Sequence, residues 1–369
     1  MDIQAYSATY NELAKKIFYT IAKVKMGENL VLSPMSIIML LGIAADAVQG
    51  KAREEITDII GKGISYEDLI TVLSQLQSAV DGGSALMSSN AVCVNEGIKD
   101  AIAPEYEARL EELFGGRLFS SDNVARDVNL WVREKTRGMI ENAADESMNH
   151  VLACLMNAIA FESEWMTPYD DEDVRKGTFH NADGSSSAVQ MMGSTESVYV
   201  EDAYFSGFIK PYKDREFSFL ALLPKHKDEA FLLKSVEQID FSKLAGSAQF
   251  CRVHAAMPEF KYDFGEDLTE ACRKIGIRTL FSPQADFSPM SSQQLKVDSV
   301  VHKAHIEVDR VGTRAAAVTI EVCVGCAPAT EFKTVRLNRP FVYAIMNMET
   351  GLPVFTGIFN SASDSIKNN

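Results

Sequence analysis

Residues 306–340 read IEVDRVGTRAAAVTIEVCVGCAPATEFKTVRLNRP. Alternating strand-like residues lead into this stretch at 301–308, and similar residues resume at 332–337. The residues between them follow no helical pattern, contain no charge cluster and meet no strong turn signal before Pro328. A loop of this length inside a compact domain is usually functional, and the alternative is a surface hairpin loop with an alanine run.

The first half of this loop carries small or β-branched side chains almost throughout. Side chains alternate across a strand, so Thr313, Ala315, Ala317 and Thr319 would share one face. Such a face could enter a narrow buried slot without steric conflict. The segment therefore has the properties of an exposed loop and of a buried strand.

Composition limits the fold and the partners. The chain has 369 residues, 46% of them hydrophobic, and a net charge of -15. Length alone suggests two or three domains, but no linker, repeat or low-complexity tract interrupts the chain, so we expect one domain over 1–369. The acidic balance argues against nucleic acid and anionic membranes as partners.

Helical patterns dominate the first third of the chain and strand patterns dominate the remainder, which indicates an α+β fold. Ser33-Pro34 starts a helix that is apolar nearly all round and should be buried. Residues 127–142 carry an apolar stripe and predict another helix. The apolar run 151–161 predicts a central strand, in which Asn157 must find hydrogen-bond partners.

The motifs expected of an enzyme or a metal protein lack their context. Cys323 and Cys326 have C-x-x-C spacing, but their flanks are β-branched and no second pair follows for zinc. His302 and His305 would face opposite sides of a strand, so they could not share a metal. Cys93, Cys154, Cys251 and Cys272 lie in apolar sequence and are expected to be buried. No motif in the sequence supports catalysis, so we expect a non-enzyme without cofactor or metal.

A combination of motifs along essentially the whole chain resembles the serpin family of serine protease inhibitors. The motifs lie at the first strand and central helix, at the sheet-crossing helix, in the central strand and in the closing strands. They are Asn29–Ile37, Asn129–Val132 with Thr136–Ile140, Asn157–Phe161 with Trp165, Lys210–Tyr212, Leu222–Pro224, Met257–Phe260, Leu337–Phe341 and Pro353–Gly357.

The resemblance implies eight or nine helices and three β-sheets, with a large central sheet and an exposed reactive-centre loop at about 310–331. It also implies an irreversible inhibitor whose cleaved loop inserts into the central sheet and traps the acylated protease. Loop insertion of this kind is a known form of strand addition. The region where the sheet opens would contain Ser33, Ser36, Asn157 and His302. We expect a monomer, with loop–sheet polymerisation as a hazard.

The inhibitory branch of the family has small residues at the hinge, and Gly312, Thr313, Ala315, Ala316 and Ala317 match that pattern. Two features depart from it. Arg310, Val311 and Arg314 replace residues that are usually acidic, at positions expected to face solvent. Glu321 falls on the inserted face, where an unpaired carboxylate would be costly. A non-inhibitory binding or carrier protein is the alternative function.

The family's usual spacing from Gly312 places the reactive bond between Cys326 and Ala327. The loop is about three residues longer than the commonest length, so Val324 and Gly325 are alternative bait residues. All are small and apolar, which favours proteases with a small apolar specificity pocket, elastase-like first and subtilisin-like second. We expect a secreted protein whose leader is absent from this chain, with a cytoplasmic location as the alternative.

Overall fold

The computed structural model describes residues 3–82, 85–313 and 332–363. The chain divides into two compact units, each built from several segments. The first consists of Met1–Leu13, Ser33–Ala160 and Gly265–His305, and the second of Ala14–Leu32, Phe161–Phe264 and Ile306–Asn369. The expectation of one domain over 1–369 stays a prediction.

Nine α-helices and four short 3₁₀ helices lie within the described ranges. The α-helices are α1 Ile3–Val24, α2 Pro34–Ala47, α3 Lys51–Ile60, α4 Tyr66–Gly82, α5 Pro104–Phe114, α6 Val124–Lys135, α7 Glu229–Gln238, α8 Phe241–Gly246 and α9 Thr269–Ile275. The 3₁₀ helices are Glu96–Ala101, Glu146–His150, Asp171–Asp173 and Thr279–Phe281.

The strands, in chain order, are β1 Leu30–Leu32, β2 Leu86–Val94, β3 Gly116–Phe119, β4 Ala153–Phe161, β5 Ser163–Glu164, β6 Val174–His180, β7 Ser186–Glu201, β8 Phe205–Pro211, β9 Phe217–Pro224, β10 Gln249–Pro258, β11 Phe260–Asp267, β12 Ser299–Val308, β13 Gly312–Thr313, β14 Phe332–Arg336, β15 Phe341–Asn347 and β16 Leu352–Phe359. Helices and strands are therefore segregated along the chain, and the predicted α+β class is confirmed.

Helix α2 is the buried helix of the first unit. Ser33 caps it, since its hydroxyl accepts the Ser36 N–H, and Pro34 occupies the first turn, where no N–H is needed. All fourteen of its residues are buried, as the apolar sequence predicts. A Cβ on Gly42 would lie 2.2 Å from a methyl carbon of Leu73, so glycine allows α4 to approach closely.

The first unit also contains the ladder β3–β2–β4–β12. Every residue of β4 is buried, as expected for a central strand covered on both faces. One side of the ladder packs on a cluster that includes Val128, Trp131 and Val132 of α6. The amphipathic stripe of α6 therefore covers the middle of the ladder.

The second unit contains a nine-stranded sheet in the order β1–β16–β15–β9–β8–β7–β10–β14, with β6 paired to β7. Strand β7 is sixteen residues long. Its residues 186–192 pair with β6, residues 191–199 pair with β10, and residues 199–201 pair with β8. Two of the three sheets that the family resemblance implies are thus continuous through β7.

Two local expectations need correction. The helix predicted over 127–142 begins earlier and ends at Lys135, because Arg137 and Gly138 adopt positive φ values of 50° and 78°. Cys251 is only partly buried, whereas Cys93, Cys154 and Cys272 are buried as expected. Within the described ranges, no helix has the length and apolar character to cross a membrane.

Replacing Leu40 of α2 by alanine should lower the stability of the chain by about 2–5 kcal/mol, because this side chain is completely buried. Leu130→Ala is the matched control, since Leu130 is 62% exposed and should change stability by less than about 0.5 kcal/mol. Denaturant unfolding of the two variants measures the difference. Equal losses would contradict the central position of α2.

Candidate functional site

The first two hinge residues form strand β13. Thr313 pairs with Val308 of β12 and with Ser163 of β5, and Gly312 pairs with Glu164. Both pairings are antiparallel. The chain has therefore reversed direction by Gly312, and its first two hinge residues already lie between two strands.

The reversal is a tight turn built on Asp309. Its carboxylate accepts the N–H groups of Val311 at 2.7 Å and Gly312 at 3.0 Å, and its own N–H donates to the Gly312 carbonyl at 2.9 Å. An aspartate that accepts backbone N–H groups two and three residues ahead is a common way to stabilise a turn. The acidic side chain thus fixes the path from β12 into β13.

Thr313 is completely buried, and its hydroxyl lies 2.6 Å from the phenol oxygen of Tyr212. The Tyr212 ring stacks on the Trp165 indole, with centroids 4.5 Å apart and planes 12° apart. Trp165 in turn donates its indole N–H to the Asp309 carbonyl and its backbone N–H to the Val311 carbonyl, both at 2.9 Å. Two aromatic side chains therefore hold both the turn and the hinge strand.

A buried ion pair lies beside these rings. The Lys210 ammonium donates to the Glu196 carboxylate at 2.9 Å and to the Thr167 carbonyl at 3.0 Å, and both charged side chains are less than 10% exposed. The ammonium also lies 4.3 Å from the ring centroid of Tyr169. Tyr169 donates its N–H to the Arg310 carbonyl at 2.9 Å. The pair is fully engaged, as a buried charge requires.

Arg310, which replaces a usually acidic residue, is exposed and forms an ion pair with Asp171. Val311 is half-buried and uses its backbone in the turn described above. Arg310 therefore faces solvent as expected, whereas Val311 does not do so fully. An exposed pair of this kind contributes little to stability.

Strands β4 and β12 are paired directly and in parallel. The register runs from Ser299 opposite Cys154 to His305 opposite Ala160, seven consecutive residue pairs. A further strand could lie between them only after these pairs separate. Any strand added there would be antiparallel to both neighbours if it kept the direction of β13.

The four residues predicted for the sheet-opening region come together on this ladder. His302 lies opposite Asn157, and the His302 Nε2 accepts the backbone N–H of Ser33 at 3.1 Å. Ser36 donates its N–H to the Ser33 hydroxyl at 3.2 Å. All four residues are buried. Their role in opening the sheet stays a prediction.

His302 is a neutral histidine. Its Nε2 accepts a hydrogen bond, so the ring proton is on Nδ1, and burial, assisted by the charge of Lys303, lowers its pKa to about 3. Asn157 uses its amide group to donate to the hydroxyl of Ser88 at 3.0 Å and to the side-chain oxygen of Asn90 at 2.9 Å. The core amide is thus hydrogen-bonded, as expected.

We call the turn at Asp309, strand β13 and the aromatic and charged side chains beside them the hinge anchor. Its members that were not predicted as site residues include Asp309, Glu196, Lys210 and Tyr212. Alternation along a strand could have indicated two of them. Lys210 and Tyr212 flank Pro211 and point to the same face, so a buried tyrosine there predicts a buried lysine beside it. The partner Glu196 lies fourteen residues away, and no local pattern indicates it.

The remaining loop predictions fall outside the described residues. They concern the hinge residues Ala315, Ala316 and Ala317, the departures Arg314 and Glu321, the bait residues Val324 and Gly325, the reactive bond Cys326–Ala327 and the C-x-x-C pair Cys323 and Cys326.

The family model described as "Serpin (serine protease inhibitor)" matches residues 8–362. The chain is a serpin. Iripin-1 of Ixodes ricinus is 28% identical over 352 residues, which cover 90% of this chain and 89% of that protein. Leukocyte elastase inhibitor A of Mus musculus is 27% identical over 380 residues, covering 96% and 99% respectively.

Solved structures agree with this assignment. The thermophilic serpin Tengpin in its native state superposes with a TM-score of 0.88 at 28% identity, covering 97% of this chain and 94% of that one. Thyroxine-binding globulin in complex with thyroxine superposes with a TM-score of 0.84 at 20% identity, covering 96% of this chain and 98% of that one. At this identity the likeness supports the fold and nothing further. Many serpins inhibit serine proteases, and some do not.

A double-mutant cycle tests the hinge anchor of this serpin. Tyr212→Phe or Thr313→Val alone should lower stability by about 1–3 kcal/mol, because each leaves the other buried hydroxyl without its partner. The double variant should lose less than the sum of the two, since no hydroxyl is then left alone. Denaturant unfolding of the four proteins gives the coupling energy, and strict additivity would contradict the contact.

The protonation of His302 predicts a pH dependence. Its pKa is about 3 in the fold and about 6.5 in an unfolded chain, so the neutral form is favoured by folding. The contribution of His302 to the free energy of unfolding is therefore complete above pH 6.5 and falls as the pH drops toward 3. At pH 5 the loss is about 2 kcal/mol. His302→Gln should remove that part of the acid sensitivity, whereas His150→Gln, at an exposed position, should leave it unchanged. Thermal unfolding between pH 8 and pH 5 compares the variants, and parallel curves for wild type and His302→Gln would contradict the prediction.

Proposed function

We propose that this serpin is an irreversible inhibitor, not an enzyme, and that its targets are serine proteases with a small apolar specificity pocket. After cleavage, the loop that starts at Gly312 would enter between β4 and β12 and remove the acylated protease from the reactive site. The observation that carries the proposal is strand β13. Gly312 and Thr313 already run antiparallel to β12, in the direction that an inserted strand requires.

The composition of the hinge supports the same mechanism. Thr313 fits a fully buried position, and the following residues Ala315, Ala316 and Ala317 are small enough for the same kind of slot. About a dozen newly paired residues, at about 1 kcal/mol net for each hydrogen bond, would release on the order of 10 kcal/mol. This is comparable to the stability of a protease domain, so insertion could distort the captured enzyme.

The bait residues support a preference for elastase-like targets. The proposed bond Cys326–Ala327 and the alternatives Val324 and Gly325 offer neither a cation nor a large aromatic side chain. Subtilisin-like enzymes fit next, and trypsin-like enzymes fit poorly. One relative is named as an inhibitor of leukocyte elastase, which is consistent with this preference.

Mixing the protein with pancreatic elastase should yield a band at the summed mass that survives denaturing electrophoresis. Mass spectrometry of the released fragment should place the cleaved bond between Val324 and Ala327. A chain that is cleaved without any covalent band, and whose melting temperature does not rise after cleavage, would instead be the non-inhibitory alternative.

Ala315→Glu should convert the inhibitor into a substrate, because a buried unpaired carboxylate adds about 3 kcal/mol or more to insertion and slows it roughly 100-fold. Ala317→Glu tests the same point at a second hinge position. Thr178→Glu is the control, since Thr178 is exposed on β6. The ratio of covalent complex to cleaved chain is the measurement, and unchanged trapping by both hinge variants would contradict the proposed inserted face.

A further inference from the structure

An open cleft of about 560 Å³ lies on the nine-stranded sheet, lined by residues of β6, β7, β10 and β14 and by Asp173. Its lining includes small residues, among them Gly177, Gly193 and Ala256. It also includes two arginines, Arg175 and Arg336. The cleft is therefore an open space lined by small and cationic residues.

The cleft is more basic than the chain that carries it. Arg175 and Arg336 are exposed, and in the part of the chain that the structure describes neither forms an ion pair. Lys176 and His254 also line the cleft, against a single carboxylate, Asp173. The whole chain has a net charge of -15. Charge interactions at a surface act over about 8 Å at physiological salt, so this local excess would select an acidic group in direct contact.

An exposed aromatic cluster adjoins the cleft. Phe332 is 53% exposed, the His254 ring stacks on it at 5.4 Å with a 4° angle, and the Arg252 guanidinium lies 5.4 Å from its ring centroid. Arginine and aromatic residues together are typical of the contacts that dominate protein–protein binding. The cluster favours a protein partner over a polyanionic polymer, which offers no apolar group to cover Phe332.

The position of Phe332 in the sequence indicates that this protein partner is the protease that acts on the loop. Phe332 lies six positions after Cys326, so the chain between them can span at most about 21 Å. A protease domain of about 230 residues has a radius of gyration of about 17 Å, and its surface extends further than that. A protease acting on the bond Cys326–Ala327 must therefore come close to the start of β14.

We propose that the basic–aromatic face, formed by Arg175, Arg252, His254, Phe332 and Arg336, is a second docking surface for the protease held at the loop. It would contact an acidic stretch on that protease and raise the rate of encounter. This inference rests on the proposed function. Target proteases would then be selected by their surface charge as well as by the bait residue.

The test uses Arg175→Glu combined with Arg336→Glu. The control combines Lys51→Glu with Lys234→Glu, which changes the net charge equally at exposed positions on α3 and α7. Pancreatic elastase and subtilisin are the probes. The measured quantity is the second-order rate constant for loss of the intact chain, from about 0.05 M to about 0.5 M NaCl.

With at least one protease, the arginine variant should react about tenfold more slowly at low salt, and the loss should shrink at high salt. The control should stay within about twofold. An equal loss in both variants, no loss with either protease, or a faster reaction of the arginine variant would overturn the inference. Arg175→Gln with Arg336→Gln, which removes the charge without reversing it, should give a smaller loss in the same direction, and thermal unfolding confirms that each variant is folded.

The rate counts cleaved chain and covalent complex together, so it reports docking whichever product forms. If cleavage occurs without a covalent band, the proposed inhibitory function fails while the docking surface is still measured. If the covalent band forms at a rate unaffected by the arginine variant, the docking surface fails while the inhibitory function stands.

Discussion

The parallel ladder between β4 and β12 is the constraint on which the rest of the structure depends. Parallel pairs are slightly weaker per residue than antiparallel pairs, yet seven of them must separate before a strand can enter. His302 adds a connection from β12 to the start of α2 through the N–H of Ser33. Separation of the ladder is therefore coupled to a buried helix, and under the proposed mechanism this barrier would delay insertion.

Under the proposed mechanism, the hinge would lower one part of the cost of insertion. Ordering the backbone costs about 1–2 kcal/mol for each residue, and this cost is already met for Gly312 and Thr313 in β13. Insertion would then extend an existing strand instead of starting a new one. The turn at Asp309 and the stacked pair Tyr212–Trp165 keep this start in place.

Sequence patterns predicted the parts of the site that depend on one strand or one helix. The buried cap at Ser33 and the core amide Asn157 follow from local apolar runs, and the structure places both as expected. Contacts between distant segments were not predictable, because the pairing of Tyr212 with Thr313 depends on the tertiary fold. The end of α6 at Lys135 was missed because the apolar stripe continues past Arg137, whose positive φ ends the helix.

The buried pair of Lys210 and Glu196 has a consequence for the way this chain can vary. Loss of either side chain alone leaves an uncompensated charge in the interior, at a cost of about 3–5 kcal/mol, whereas a well-packed apolar pair can be neutral or better. A substitution at only one of these two positions is therefore strongly destabilising, whereas simultaneous substitution of both can be tolerated. The two positions should therefore vary together, as one unit, through evolution.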